Sequence, residues 1–444
     1  MPHATTTTAI LFASVAAASA TADDARNLAA RLRADAAMKH ATAVQNANPA
    51  SLDVSVLMQT RYLASTRGDP QAPNSEAQTY GFDIPRAQIR LSGNLINRQI
   101  TGYLNFDFGD AEGDRGRGRA PSVAAGNGSP QLREAYVQYN FSGENEGFYA
   151  KVGQFKSAIL TEDAIAPEYQ IAVERSVSNE FFSLGLTQGV AVGRVTDQFA
   201  WEVSFNDGGR YWGNPEPANT AFNSTLEADW AASWRLDWKF AGDWARFADF
   251  TSWRGSDEGL RVGGGVHFQS QGGTNPDQIV SDFFQGTAQE VNVLSWALDV
   301  QYEGDGWALF AGYHGHRIEW EFGPNRLVVG QHGLVVQGSV FLDDHFEIFG
   351  RWDLVQIDGA ITRGFGTSEE TYHFYTVGVN WYMIPESHAT KFTADVVFTR
   401  SNSDTFDIGA GGANSIFYPD ASVTGLLGGA DQELLVRGQF QVLF

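Results

Sequence analysis

Beyond residue 50, apolar and polar residues alternate with a period of two in segment after segment, as in strands with two unlike faces. In Glu227 to Phe240, Glu227, Asp229, Ser233, Arg235, Asp237 and Lys239 share one face. Ala228, Trp230, Ala232, Trp234, Leu236, Trp238 and Phe240 share the other. Such a run is longer than most strands of soluble sandwiches, and its aromatic face suits a strand that turns outward to lipid. Arg86, Gln88, Arg90 and Ser92 alternate with Ala87, Ile89 and Leu91. Thr101, Tyr103, Asn105 and Asp107 alternate with Ile100, Leu104, Phe106 and Phe108, and a tight turn near Asn94 to Asn97 joins the two runs into a hairpin. Glu202, Ser204 and Asn206 oppose Phe199, Trp201, Val203 and Phe205, while Glu347, Arg351 and Asp353 oppose Phe346, Ile348, Trp352 and Leu354. The chain closes on Leu434, Val436, Phe440, Val442 and Phe444 facing one way, with Arg437, Gln439 and Gln441 facing the other.

Outer-membrane barrels have short periplasmic turns and long external loops, so connection lengths must alternate along the chain. Short turns fall near Leu95-Ile96, Ser142 to Glu146, Thr196-Asp197, Gly304-Asp305, Leu342 to Asp344 and Ile384 to Ala389. Long connections fall at Ser65 to Gly81, Ala111 to Pro130, Ser157 to Ser183, Asp207 to Leu226, Gln271 to Ala288, Glu321 to Val329, Gly359 to Glu370 and Ser403 to Ala430. The two classes interleave only if Gly242 to Gly259 is one longer periplasmic connection. The expected architecture is an all-β transmembrane antiparallel barrel of about 16 strands over residues 51–444, wide enough to enclose water.

The first 50 residues follow another pattern. Ala9 to Ala20 is an apolar stretch followed by small residues, so residues 1–22 read as a signal peptide cleaved after Ala20 or Ala22. Residues 23–50 place Leu28, Leu32 and Ala36 on one helical face and end near Pro49, as expected of a short periplasmic helix and linker. Composition narrows the field further. The 444 residues carry 30 Lys plus Arg against 52 Asp plus Glu, a formal charge of −22, which argues against a nucleic-acid partner. Cysteine is absent, which removes disulfides, thiolate metal sites and cysteine nucleophiles. A mean hydropathy of −0.25 and the lack of a long apolar run exclude helical spans but leave a barrel open.

Several motifs together resemble one family. Ile84-Pro85-Arg86-Ala87-Gln88-Ile89-Arg90 with Phe106-Asp107-Phe108-Gly109, Leu132-Arg133-Glu134-Ala135-Tyr136, Val152-Gly153-Gln154-Phe155-Lys156 and Val173-Glu174-Arg175-Ser176 resemble the phosphate-selective porin O/P family. The resemblance implies a trimeric 16-stranded porin whose loop after the Gly-Gln-Phe-Lys strand, here Ser157 to Ser183, folds into the lumen. It also implies a ladder of inward cations for phosphate, with Arg86, Arg90, Lys156 and Arg175 at motif positions. Asp107 and Glu134 on the wall, and Glu162, Asp163, Glu168 and Glu174 in the loop, set acidic charge against them. General diffusion of small hydrophilic solutes and ions, anions such as phosphate among them, is therefore the expected function. Inward charges that neutralise one another across strands, merely keeping the lumen wet, are the plainer alternative. The last strand resembles the C-terminal strand of bacterial outer-membrane barrels, which implies that Phe440, Val442 and Phe444 form the signal read by the barrel-assembly machinery. The expected setting is the outer-membrane bilayer of a Gram-negative type of cell.

Other chemistry is weakly supported. His267, His314, His316 or His332 with a serine could form a nucleophile pair, but no G-x-S-x-G elbow occurs, and no enzyme activity is expected. His314 and His316 share a strand face without an evident third ligand, so no metal and no cofactor are expected. Asp110 to Asp114 is a faint calcium-loop pattern lacking the twelfth-position Glu. Gly263-Gly264-Gly265 reads as a strand kink or close backbone approach. Two other functional classes remain open: an occluded structural or adhesive barrel acting through acidic external loops, and a soluble exported β-sandwich or lectin.

Overall fold

The computed structural model describes residues 51–66, 78–95, 99–109, 130–141, 147–157, 159–211, 228–271, 279–281, 286–288, 290–364, 370–400, 424–426 and 432–444. Sixteen antiparallel strands close into one barrel. They are β1 (Ser51–Ser65), β2 (Thr79–Leu95), β3 (Ile100–Asp107), β4 (Gln131–Asn140), β5 (Gly147–Lys156), β6 (Leu186–Val195), β7 (Phe199–Asn206) and β8 (Trp230–Ala241). The second half comprises β9 (Gly259–Gln271), β10 (Glu290–Gly304), β11 (Trp307–Phe322), β12 (Asn325–Phe341), β13 (Phe346–Gln356), β14 (Thr371–Tyr382), β15 (Thr390–Arg400) and β16 (Gln432–Leu443). Each strand pairs with its sequence neighbours, and β1 closes on β16 in the register Leu57↔Leu443 to Ser65↔Leu435. Closure leaves no sheet edge, so the barrel satisfies its ladder hydrogen bonds without water. The strand number therefore agrees with the count from connection lengths.

The alternating faces fall as expected. Trp230, Trp234, Trp238, Val377, Leu298 and Phe444 are exposed on the outer wall, whereas Ser233, Arg235, Asp237 and Lys239 point inward and are buried. The expected signal peptide, N-terminal helix and linker, and the acidic Asp110 to Asp114 motif, lie outside the described residues.

Two expectations are corrected. Glu321 to Val329 is not a long loop: β11 and β12 turn tightly at Gly323-Pro324, with Phe322↔Asn325 and Glu321↔Arg326 paired across it. Gly323 at φ +60° supplies the left-handed residue that such a turn needs. The aromatic strand also starts later than its alternation suggests, at Trp230. Ala228, placed on the outer face by the pattern, is instead buried just ahead of the bend at Asp229.

Gly242 to Gly259 is, as expected, a single connection between β8 and β9. It is far from a passive turn, since it contains the 3-10 turn Trp244–Ala248 and buries Phe247, Ala248, Phe250 and Trp253.

Candidate functional site in the barrel lumen

The segment that leaves β5 at Ser157 does fold inward, and Ile159 to Ser183 is almost wholly buried. It carries two short helices that the sequence pattern did not suggest, α1 (Thr161–Ala164) and α2 (Val177–Phe182). The Ser176 hydroxyl caps α2 by accepting from Asn179 N at 2.9 Å. Two motif glycines explain the local geometry. Gly153, at φ +134°, runs so close to β4 that a Cβ would sit 2.2 Å from Ala135 O. At Gly109 a Cβ would lie 2.6 Å from Arg86 Cα, so the Phe-Asp-Phe-Gly motif backs directly onto the first motif arginine.

The structure brings most of the sequence-predicted residues together, in pairs between loop and wall. Arg86 donates both guanidinium arms to Glu174, at 2.9 and 2.7 Å, and Arg61 donates to the same carboxylate at 2.8 Å. Arg90 pairs with Glu168 through Nη2 at 2.9 Å, and Lys156 Nζ reaches Asp163 O at 2.8 Å and Oδ1 at 3.4 Å. Such fork-to-carboxylate contacts are strong and geometrically specific. Arg175 turns back into its own loop, donating to Glu162 O and Ile165 O. Glu162 accepts from Ser176 N at 2.5 Å and Ser176 Oγ at 2.6 Å, with Arg351 Nη1 at 3.6 Å. Asp107 stands apart, accepting from Gln88 Nε2, Ala87 N and Gly109 N within the β2–β3 wall. Of the motif cations, Arg86 and Arg175 are each 1% exposed, which leaves them tied to the loop and turned away from the water of the lumen.

Burial pushes the Glu162 carboxyl above the usual carboxylate range, against the pull of Arg351 and the Ser176 hydrogen bonds. Burial acts the same way on Asp163, but Lys156, Arg175, Arg210 and the Ser183 hydroxyl outweigh it and hold that carboxyl well below the range.

Elsewhere the inward charges pair as neutralising contacts would. Arg235 meets Asp237 and Asp299, Arg437 meets Asp395, and Lys239 meets Asp197. His314 and His316 do share one face, packed against Phe181 and Phe182 of α2; His314 Nδ1 meets Ser178 Oγ, and His316 Nε2 meets Gln331. His267 lies between Ser233 Oγ at 2.7 Å and Gln269 at 2.9 Å, and that serine also meets Ser157 Oγ at 2.6 Å. His332 faces outward beside Tyr313. Each of these contacts satisfies the imidazole within the wall.

The loop crosses the lumen, from its ion pairs with β1, β2 and β5 to the facing wall. Its contacts reach β10 through Thr161 and Asp299, β13 through Ser178 and Asp353, β14 through Ile171 and Asn380, and β15 through Gln170 and Lys391. Between Ser157, Ile159 and Ala164 of the loop and strands β4 to β8 lies a cavity of about 70 Å³, with room for several waters. A second of about 10 Å³ lies beside β2 and β4, and Glu134 and Lys156 line both. The sequence reading omitted Lys151. Its ammonium meets Glu202 at 2.8 Å and lies 4.4 Å from the Phe155 ring centre, while Tyr149 OH donates to the same glutamate. Its place two residues before Gly153, on the face of Tyr149, was the available signal.

Residues 58–234 match the family model described as phosphate-selective porin O and P. No curated protein matches the chain. Among solved structures, the anion-selective porin from Comamonas acidovorans is 9% identical, with a TM-score of 0.56, and the match covers 89% of this chain and 100% of that one. OmpF of Salmonella typhi, in complex with daunomycin, is 14% identical over 88% of this chain and 98% of its own, at 0.55. The outer-membrane channel DcaP of Acinetobacter baumannii is 11% identical over 90% and 99%, at 0.54. The fold is thus that of a porin, an outer-membrane β-barrel with an in-folded loop. Within that class, the stretch from β1 into β8 carries the phosphate-selective porin O and P pattern.

Proposed function

We propose that the chain is an outer-membrane diffusion channel for small hydrophilic solutes, with a modest preference for anions and without a dedicated phosphate ladder. The observation that carries this reading is the asymmetry of the lumen: the in-folded loop crosses it but leaves open, charged space between itself and β4 to β8. The two cavities are lined by Arg90, Arg133, Lys151, Lys156 and Arg235 against Glu134, Glu202 and Asp237. Cations prevail locally although the chain as a whole is acidic, and charged rings of this kind set ion preference in pores. A phosphate ladder would need its arginines turned to the solute, whereas Arg86 and Arg61 are engaged by Glu174. Glu134 and Lys156, which line both cavities, are the residues assigned to the constriction. Export through the amino-terminal signal, reading of Phe440, Val442 and Phe444 by the barrel-assembly machinery, and assembly as a homotrimer complete the proposal. Phe440 and Phe444 are suitably exposed on the outer wall.

The test is single-channel recording of purified, folded protein in a planar bilayer, with the reversal potential under a salt gradient. Discrete steps with an anion-selective potential support the reading. Silence from folded protein refutes it in favour of the occluded barrel, and a cation-selective potential refutes the assignment of the route to the Lys151 side.

A further inference from the structure

The β8–β9 connection does more than join two strands. Trp244 Nε1 donates to Thr196 O at 2.7 Å, anchoring its start beside the neighbouring periplasmic turn. The chain then runs inward. The Phe250 ring packs at a tilt 4.9 Å from Phe310 on the inner face of β11, and Trp253 lies 5.1 Å from Phe341 on β12 and 4.7 Å from Tyr382 on β14. From β9 to β14 is five interstrand steps of about 4.8 Å each, so this segment crosses a large part of the periplasmic mouth. Polar contacts hold it there: Gln301 Nε2 donates to Asp249 O at 2.6 Å, and Thr251 Oγ1 meets Tyr382 OH at 3.3 Å. Ala248 and Phe250 belong to the same buried apolar cluster as Ile165, Tyr169 and Ile171 of the in-folded loop. His388 is shared by both segments, with the Tyr169 ring 5.0 Å away and Trp253 5.3 Å away.

We propose that residues 243–258 form a second constriction element, entering from the periplasmic side, in which Phe250 and Trp253 act as positioning residues. They seal the mouth over β11 to β14 and support the in-folded loop from beneath, which confines solutes to the side of Lys151 and Glu202. The inference rests on the channel reading for its effect on conductance, though the packing itself does not. Close-packed aromatic contacts of this kind resist gradual deformation, so the element sets a fixed aperture.

The test uses the full-length protein in three forms: unaltered, with Arg246 to Asp257 replaced by a short Gly-Ser turn, and with Phe250→Ala plus Trp253→Ala. Folded barrels are identified by their heat-modifiable electrophoretic mobility. Single-channel conductance is expected to rise severalfold in both variants, and ion preference to weaken. A second readout needs no current. The chain has no cysteine, so Ser339→Cys, on the inner face of β12 and 9% exposed, introduces a sole thiol. A hydrophilic thiol reagent applied from the periplasmic side should label it severalfold faster in either variant than in the parent. If the shortened form does not fold, the double alanine variant decides. Unchanged conductance and unchanged labelling in folded variants, with only a lowered melting temperature, would show a merely structural role and overturn the proposal. A parent that passes no current while the thiol is unmasked in the variants upholds the plug and overturns the channel reading.

Discussion

The two walls of the lumen arise from the same alternating design and end in opposite states. On β10 to β14 the inner face is sealed, with Val291, Val293, Ile318, Val335 and Tyr372 each 0% exposed under the in-folded loop and its apolar clusters. On β2 to β7, three inward charges keep contact with water, at 11% for Arg90, 14% for Lys156 and 27% for Glu202. What decides hydration is whatever leans on a strand, and the covered strands show it in their composition. Val291 to Leu298 is mostly apolar on both faces, with Ser295 the inward and Asn292 the outward exception, whereas inner β7 presents Glu202, Ser204 and Asn206. In a barrel whose lumen is filled with water, a strand apolar on both sides marks a place where protein covers the wall.

The contrast can be broken most severely by excising the cover. Replacing Leu160 to Phe182 with a short flexible link should raise single-channel conductance severalfold, and an unchanged conductance would mean that this loop does not narrow the lumen. Next in size is the anchor. Glu174→Ala deprives the buried Arg86 of this carboxylate while Arg61 keeps Asp83, a loss of about 3 kcal/mol by analogy with other broken buried pairs. It should appear as a lower melting temperature and noisy, larger current steps, with Glu174→Gln intermediate. On the hydrated wall, Lys151→Gln should move the reversal potential toward cations while costing under about 1 kcal/mol, since the Lys151–Glu202 pair is partly solvated; chemical denaturation and bilayer recording together check this.

The smallest effect is on the pH dependence of stability. Asp163, held below its ordinary range, contributes stability that is complete above about pH 4 and lost as pH falls through its lowered value. Glu162, raised by burial, acts oppositely: its contribution is full below about pH 4 and declines as pH rises through its raised value. Asp163→Asn should therefore flatten the acid limb of a melting-temperature profile, and Glu162→Gln the limb above it. Two profiles identical to the parent's would refute both assignments.

Much of the architecture was legible in the sequence because a β-barrel writes itself locally. Period two fixes the faces of each strand, and connection lengths fix the count, so sixteen strands and the in-folded segment from Ser157 could be read off. The site was legible as a set of residues but not as pairs. Glu174 meets Arg61 and Arg86, 113 and 88 residues away, only because the loop crosses the lumen, and no local periodicity encodes that path. Gly323-Pro324 was hidden because β11 and β12 extend past the usual strand length, blurring where the loop should begin. In Gly242 to Gly259, Trp244, Phe247, Phe250 and Trp253 were in plain sight, but their spacing fits neither a strand nor a long helix, and their partners lie on distant strands.

The pairing of β1 with β16 carries a consequence for how the molecule comes into being. Leu57 finds Leu443 at the far end of the chain, so the contact that removes the last two sheet edges is also the one of greatest sequence separation. Such contacts repay their loop-closure entropy last and slow folding. Until the final strand arrives, the nascent sheet carries two open templates for pairing with other chains, so its safe passage to the membrane depends on being shielded along the way.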